Sequence, residues 1–564
     1  MRRSYVGLLV AAALVLSACA GVPTSGPIEQ GGAVAAPGDD QLIRVIANPP
    51  HDGMTPEEVV RGFQEATAGA DGKYKTARLY LTDAASAAWD PTAGIMVYDA
   101  NGIVPTRSPA SSQVRVTGGL AASIGPSGEY DVAVPGSKLD TVYSLERVKG
   151  EWRISALPNG LVLGAADIER GYRSYDLYYF TRDFEVLVPA PITVPRTGSG
   201  LATLLVGSLI RGATPWIAPA VRTAFPEGTK LALGSVPVTD GIADVNLTSE
   251  VLAADDTTRQ KLSAQLVWTL RQVPEVTSVQ ISVNGQPLSV PGVGSPQPVS
   301  AWPLVDPDAW SSLANAHAVD KRGLLSIDRS GAVTVAAKIK PALLSPGVSL
   351  DSGRVAGLSA DRRSLLEARV SDEAVAVRRY KGAELSRPSF DRTGAIWVVD
   401  RGRGLVMIKD GKPTPIPIAE LPSGVADRGL IAAAVSRDGT RMALLVQRGT
   451  RIEPMVARID RVGDNVRVAA PRRIESIITD AVDLAWADAD TLSVLGSTGA
   501  SSLEVISLEV GTSRVRRLGA APGSTTLAAA PTEPILVGAG PTIFRNSGST
   551  WARVTDATFP VYPG

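Results

Sequence analysis

Val435-Ser436-Arg437-Asp438-Gly439 leads, two residues later, into the apolar run Met442 to Val446. Variants of this phrase recur: Ile327-Asp328-Arg329-Ser330-Gly331, Leu358-Ser359-Ala360-Asp361, Ser389-Phe390-Asp391-Arg392-Thr393-Gly394 and Leu484-Ala485-Trp486-Ala487-Asp488. Apolar strands follow, as in Ile396 to Val399 and Leu492 to Leu495. In such phrases Ser and Asp oxygens bond nearby backbone amides while Gly takes a positive φ, which fixes a hairpin turn. The aspartates fall at intervals of 33, 30, 47 and 50 residues, a loose match to propeller blades of ~40 to 50 residues. Leu527-Ala528-Ala529-Ala530 before Ile535-Leu536-Val537 reads as a degenerate sixth copy. Residues 299–564 are therefore expected to form an all-β propeller of five or six blades. The aspartates read as structural: a calcium loop needs several spaced oxygens, and Asp-Arg-Ser/Thr-Gly interposes a cation. Arg392 likewise breaks any Asp-Thr-Gly protease unit.

Upstream, the hydrophobic period changes twice. Thr55-Pro56-Glu57-Glu58 supplies an N-cap, a proline at the first helical position and acids on the helix dipole, ahead of Val59, Val60 and Phe63. A second helix is expected over Lys75 to Trp89, burying Ala77, Leu81, Ala84, Ala85 and Ala88. Period-two runs follow at Ile95 and Val97, Val114 and Val116, Tyr130 to Val134, Val142 to Leu145, and Trp152 and Ile154. Two helices before a curved antiparallel sheet make an α+β cone over 47–164. It resembles NTF2-like domains, notably in Gly150-Glu151-Trp152-Arg153-Ile154 and Leu157-Pro158-Asn159-Gly160.

Residues 165–298 read as an α/β module. A hairpin is expected over Tyr175 to Val188, then the turn Thr197-Gly198-Ser199-Gly200 and a helix through Leu201, Leu204, Leu205, Leu209 and Ile210. That turn lacks a following Gly-Lys-Ser/Thr, so it starts a helix and does not cradle phosphate. Strands are expected at Leu231-Ala232-Leu233 and Ala243 to Leu247, and a helix presents Leu262, Leu266, Val267 and Leu270. Val279, Ile281 and Val283 alternate into Asn284-Gly285, a type I′ hairpin signal. Leu204-Leu205-Val206-Gly207, Phe225-Pro226-Glu227-Gly228-Thr229, Val245-Asn246-Leu247, Gln265 to Leu270 and Ile281-Ser282-Val283-Asn284-Gly285 make the module similar to the GerMN domain. The resemblance implies binding or assembly in the cell envelope.

The N-terminus carries Arg2 and Arg3, an apolar run from Val6 to Leu16, and then Leu16-Ser17-Ala18-Cys19. These are the parts of a secretory signal over 1–18, too short for a membrane span. Leu16, Ser17, Ala18 and Cys19 form a lipobox, and Cys19 is the chain's one cysteine. As the first mature residue it would carry S-diacylglycerol and an N-acyl chain, and two or more chains turn marginal membrane binding into stable anchoring. The alternative is a plain secretory peptide with an incidental Cys19. Residues 19–46, rich in Gly, Pro and Ala, read as a lipidated tether.

Hydrophobic content of 44% and charged content of 20% describe folded modules. Lys+Arg and Asp+Glu both number 56, so no net field attracts nucleic acid, which is not an expected partner. The doublets Arg362-Arg363, Arg378-Arg379, Arg472-Arg473 and Arg516-Arg517 read as solvated hairpin faces. His51 and His317, the latter near Trp310, are the two histidines; neither has a partner at metal spacing, and no Gly-x-Ser-x-Gly elbow occurs. No catalytic residue, metal or cofactor is expected.

Lipobox, cone, GerMN-like module and propeller, in this order, resemble the LpqB family of actinobacterial lipoproteins along essentially the whole chain. The resemblance implies an accessory regulator that contacts the extracytoplasmic sensor domain of a histidine kinase, in the Mtr two-component system, and influences envelope homeostasis and division. It implies a place on the outer face of the cell membrane. Two other readings stay open: a cell-wall-binding scaffold and a propeller hydrolase, the last without positive evidence.

Overall fold

Each turn aspartate is bonded into its own hairpin. Asp391 Oδ1 accepts from the Thr393 amide at 2.9 Å, the Thr393 hydroxyl at 2.7 Å and the Ala395 amide at 3.0 Å. Its Oδ2 takes Trp397 Nε1 at 2.9 Å and Arg461 at 2.8 Å. Asp438 repeats the arrangement with Ser436 and Thr440. In this computed structural model the described residues are 48–564, apart from 70–72, 109–110, 197–199, 310–314, 402, 422–424, 426–428, 464, 475–476, 500–501, 513 and 549. Leu16 to Cys19, the tether, Thr197-Gly198-Ser199 and Trp310 lie outside them.

These turns organise six blades. Blade two is Leu344–Val348, Arg354–Leu358, Ser364–Arg369 and Val377–Lys381; blade three is Ser389–Phe390, Ile396–Asp400, Gly404–Lys409 and Lys412–Ile416. Blade four is Leu430–Val435, Arg441–Arg448, Arg451–Val462 and Asn465–Arg473. Blade five is Asp480–Trp486, Thr491–Ser497, Glu504–Glu509 and Val515–Arg517, and blade six Ser524–Ala528, Leu536–Ala539, Thr542–Ser547 and Thr550–Asp556. Blade one combines Ala316–Asp320, Gly323–Ile327 and Val333–Lys340 with Thr558–Val561, which pairs with Ala316–Asp320 and closes the ring.

The irregular intervals between aspartates now have a cause. Asp391, Asp438 and Asp488 sit after the innermost strands of blades three, four and five, whereas Asp361 follows the second strand of blade two and Asp328 the third of blade one. The equivalent turn of blade two holds Asp351, with Ser349 Oγ donating to it at 2.5 Å and the Gly353 amide at 3.1 Å.

The first fold packs short helices on a six-stranded sheet ordered Glu151–Ala156, Lys138–Val148, Gln113–Ile124, Ile95–Thr106, Leu161–Gly164, with Tyr130–Val132 also on Gln113–Ile124. Its Pro56–Ala68 helix has a full capping box: the Glu58 amide donates to Thr55 Oγ1, and the Thr55 amide to Glu58 Oε2 at 2.8 Å. Val59, Val60 and Phe63 face the sheet, with Phe63 edge-on to Trp89, their centroids 5.3 Å apart. The expected Lys75 to Trp89 helix is two, Lys75–Arg78 and Asp83–Ala88. Between them the sheet captures the backbone: Ile154 donates to Tyr80 O and accepts from the Thr82 amide, both at 2.9 Å. Thr82 then caps the next helix, which rotates Ala84 and Ala88 to the surface.

The middle module has a sheet ordered Val238–Thr239, Ile242–Leu247, Ser278–Val283, Gln286–Pro287, with its central pair parallel. Asn284 and Gly285 have φ of 48° and 81°, as the turn signal requires. Leu231-Ala232-Leu233 forms no strand: Leu231 makes a single bridge to Leu247, and Leu233 is 72% exposed as the chain turns at Gly234. The helix Asp256–Leu270 is buried on more than one face, because the hairpin Tyr172–Thr181/Leu187–Pro195 covers the side away from the sheet. Gln265 there holds Tyr178 O at 2.8 Å and the Ala224 amide at 2.7 Å.

Candidate functional site at the open end of the propeller

One end of the propeller channel is covered by the rest of the chain. Arg441, 1% exposed, donates to Pro189 O at 2.7 Å and to Asp438 at 3.2 Å. Arg392 reaches Asp183 at 3.0 Å and Glu185 at 2.6 Å. Trp216 inserts beside blade four, where its Nε1 donates to Ala470 O at 2.8 Å and its carbonyl accepts from Arg458. Arg472 forms ion pairs with Glu129 at 2.6 Å and Asp131 at 3.0 Å, so the first fold joins the same seam. Arg437 donates to Pro563 O at 2.7 Å; burial pulls its guanidinium down to about 10, against Asp308, which burial and then Asp488 push up to about 7.

Beside this seam lies a cleft of about 690 Å³ lined by Tyr172, Arg173, Asp488, Thr491, Glu509 and Arg514 among others. Near it the buried Asp176 carboxyl of the hairpin faces the acids Asp490 and Glu509 of blade five. Burial first, then Glu509, push Asp176 up to about 7; burial, then Asp176 and Asp488, push Asp490 upward. Both carboxyls at this junction are thus biased towards the protonated form.

The opposite end is open. A cup of about 330 Å³ is lined by residues from all six blades or the loops entering them: Phe559, Ser345, Arg387, Ile431, Val482 and Thr525 are examples. Its floor is Arg387, which donates to Asp483 at 2.9 Å, Leu484 O at 3.1 Å and Leu527 O at 3.0 Å. The rim carries Arg401 on Glu384 at 3.1 Å, and Arg362. The carboxylates of the cup, Glu384 and Asp483, thus each engage an arginine. Left-handed backbone occurs here at Ser345, Arg362 and Phe559, with φ of 47°, 56° and 55°, that of Arg362 being the turn position held by Gly439 in blade four. They are three of the fifteen non-glycine positive-φ residues among those described, all on one small surface.

Of the residues the sequence singles out for chemistry, the structure brings none together. His51 is exposed, while His317 is buried with Nδ1 3.2 Å from Leu325 O, and burial pulls it down to about 4. Among the described residues no three His, Cys, Asp or Glu side chains converge as round a metal ion, and no helix is long and apolar enough to cross a membrane. Arg472-Arg473 is not a solvated face: Arg472 crosses the seam, and Arg473, 8% exposed in its side chain, pairs with Glu453. Sequence reading missed Trp216, Arg441 and the acids Asp176 and Asp490, because their partners are remote in the chain. It had one usable signal for Asp351, the Ser-x-Asp spacing shared by Ser349, Ser359 and Ser436.

Residues 49–169 match the family described as Lipoprotein LpqB, N-terminal domain; 176–289 match Sporulation and spore germination; and 323–563 match Lipoprotein LpqB beta-propeller domain. The chain is 32% identical to Lipoprotein LpqB of Thermobifida fusca, over 98% of this chain and 97% of that one. It is 28% identical to Lipoprotein LpqB of Streptomyces coelicolor, over 99% and 97%. Among solved structures, the first GerMN domain of the Bacillus subtilis sporulation protein GerM aligns at 23% identity, covering 22% of this chain and 92% of that one, with a TM-score of 0.19.

Proposed function

The chain belongs to the lipoprotein LpqB family, and from that premise we propose that it is a non-enzymatic accessory regulator, held by lipid on Cys19 at the outer face of the cell membrane, acting on the extracytoplasmic sensor domain of a histidine kinase. The reading takes 1–18 as signal, 19–46 as tether, and 47–164, 165–298 and 299–564 as three modules. The observation that carries it is the end-to-end relationship to lipoproteins of this name, joined to the lipobox Leu16-Ser17-Ala18-Cys19. The seam through Trp216, Arg441 and Arg472 supports it further, since a body so cross-linked acts as one surface.

Physically, the anchor confines that body to two dimensions and raises its effective concentration near a membrane partner, so weak contacts suffice. Regulation then requires unequal affinity for the kinase's two states. The test is co-purification of the kinase from membranes, with intact-mass measurement of the mature N-terminus. Cys19→Ala is expected to release the protein and weaken kinase-dependent signalling with the folds intact. Unchanged signalling from a fully released variant, or an unacylated mature start, sinks the reading.

A further inference from the structure

The open cup has three properties that a structural plug would not need. Arg387, bonded across to Asp483, Leu484 and Leu527, floors it, so it is a recess. Its two acids are already neutralised by Arg401 and Arg387. Arg362, by contrast, is exposed on the rim, and no ion pair to its guanidinium occurs among the described residues. The cup therefore presents one uncommitted positive charge beside the apolar surfaces of Ile431, Val482 and Phe559, Val482 being 40% exposed. The left-handed backbone at Ser345, Arg362 and Phe559 has no glycine to relieve it. At Arg362 the conformation is that of the hairpin turn, the place Gly439 takes in blade four, and it fixes the side chain on the rim; a bulky residue such as Phe559 at positive φ is a genuine outlier.

We propose that this cup binds an extended acidic peptide segment, with a carboxylate on Arg362 and a neighbouring apolar side chain against Phe559 and Val482. The volume lies at the lower end of the ~300–1,000 Å³ of ligand sites, room for a short stretch of side chains and too small for a folded domain. Charge complementarity selects an acidic occupant: a basic one would meet Arg362 and find both acids engaged. The small depth, with Arg387 and Asp483 as its floor, limits the contact to a chain end or loop tip. The inference does not depend on the kinase reading and stands if another membrane protein supplies the segment.

The test uses the full lipidated chain in detergent micelles against displayed hexapeptides carrying one fixed aspartate, with an asparagine-fixed library beside it. Enrichment from the aspartate library alone is expected. A selected peptide should bind Arg362→Asn at least tenfold more weakly, and asparagine tolerates the left-handed backbone. Arg516→Ala, on the outer strand of blade five, should bind as the parent does. The peptide's own Asp→Asn change should add nothing once Arg362 is replaced. Arg362→Gly serves as a second variant should the first alter the thermal midpoint. Equal enrichment from both libraries, none from either, or full affinity in both Arg362 variants overturns the proposal, including the case in which free acetate competes as well as peptide and only a small anion is held.

Discussion

Arg472 stacks on Trp216, its guanidinium carbon 4.8 Å from the ring centroid, while the same guanidinium forms ion pairs with Glu129 and Asp131. One blade-four arginine thereby touches both upstream folds at once. A cation on an aromatic face contributes ~0.5–2 kcal/mol, more as it is desolvated, and side-chain relative exposure of 28% places Arg472 between those limits.

Trp216→Ala should destabilise the seam by about 2–4 kcal/mol, below or within the range for large aromatic truncations in cores because the ring is half-buried. Arg472→Ala should cost less, and the double variant should cost less than the sum, since both remove the same contact. Hydrogen exchange at Val468 to Ala470 and at Thr214 to Ile217 reads this out. Additive effects would show that the stack carries no coupling.

The Asp176–Asp490 pair predicts a pH slope. Asp176 stands at about 7 against an ordinary 3.8, so between those values the folded state binds more protons than the unfolded one. Stability contributed by the protonated pair is present at low pH and lost as pH rises towards about 7. Asp308, also about 7, pulls the same way, whereas neutral buried His317, at about 4, makes stability rise with pH up to about 6.5. Asp490→Asn should therefore flatten the decline most visibly near neutral pH, where the histidine contribution is complete. Thermal midpoints across pH 5 to 8 check it; an unaltered slope in the variant refutes the part assigned to this acid pair.

Gly511 lies in blade five at φ 78°, and a Cβ there would come 2.8 Å from Pro191 Cγ of the hairpin. Gly511→Ala should cost about 1–3 kcal/mol through the left-handed backbone, with the clash added on top. Gly499→Ala, at φ 91° with nothing within 4 Å, isolates the backbone part. Equal losses in the two variants would show that the seam yields freely at Pro191.

Asp391→Ala should be severe, about 3–5 kcal/mol, because it leaves the buried Trp397 Nε1 and the Arg461 guanidinium without their acceptor as well as undoing the turn. Asp351→Ala, in the exposed turn of blade two, should cost ~1 kcal/mol. Denaturant midpoints of the two variants test the ranking, and a reversal would contradict the turn assignment.

The propeller was legible because a hairpin is local: Ser436, Asp438 and Gly439 announce their turn within five residues. The blade count was less so, since Asp328 and Asp361 mark other turns than Asp391 does, while Asp351 went unnoticed between them. The Pro56–Ala68 helix was readable from its cap, but the break at Thr82 was not, because Ile154 imposes it from 72 positions away. On Lys138–Val148 the buried set is Leu139, Thr141, Tyr143 and Leu145, not Val142 and Ser144: strand period showed, face parity did not. The candidate site was the least visible part. Neither Arg362 nor Phe559 belongs to the residue types that favour a left-handed backbone, and Trp216 meets Ala470 across 254 residues.

Strand Thr558–Val561 completes blade one, and Thr558 Oγ1 donates to Val319 O across 239 positions. The ring consequently cannot shut until this last strand has been made. Five blades and an unsealed gap must wait for those last residues, a search of high contact order that is intrinsically slow and exposes unpaired strand edges meanwhile. Synthesis of this chain thus creates a vulnerable interval, and helper proteins that shield nascent edges should matter more for the propeller than for the modules upstream of it.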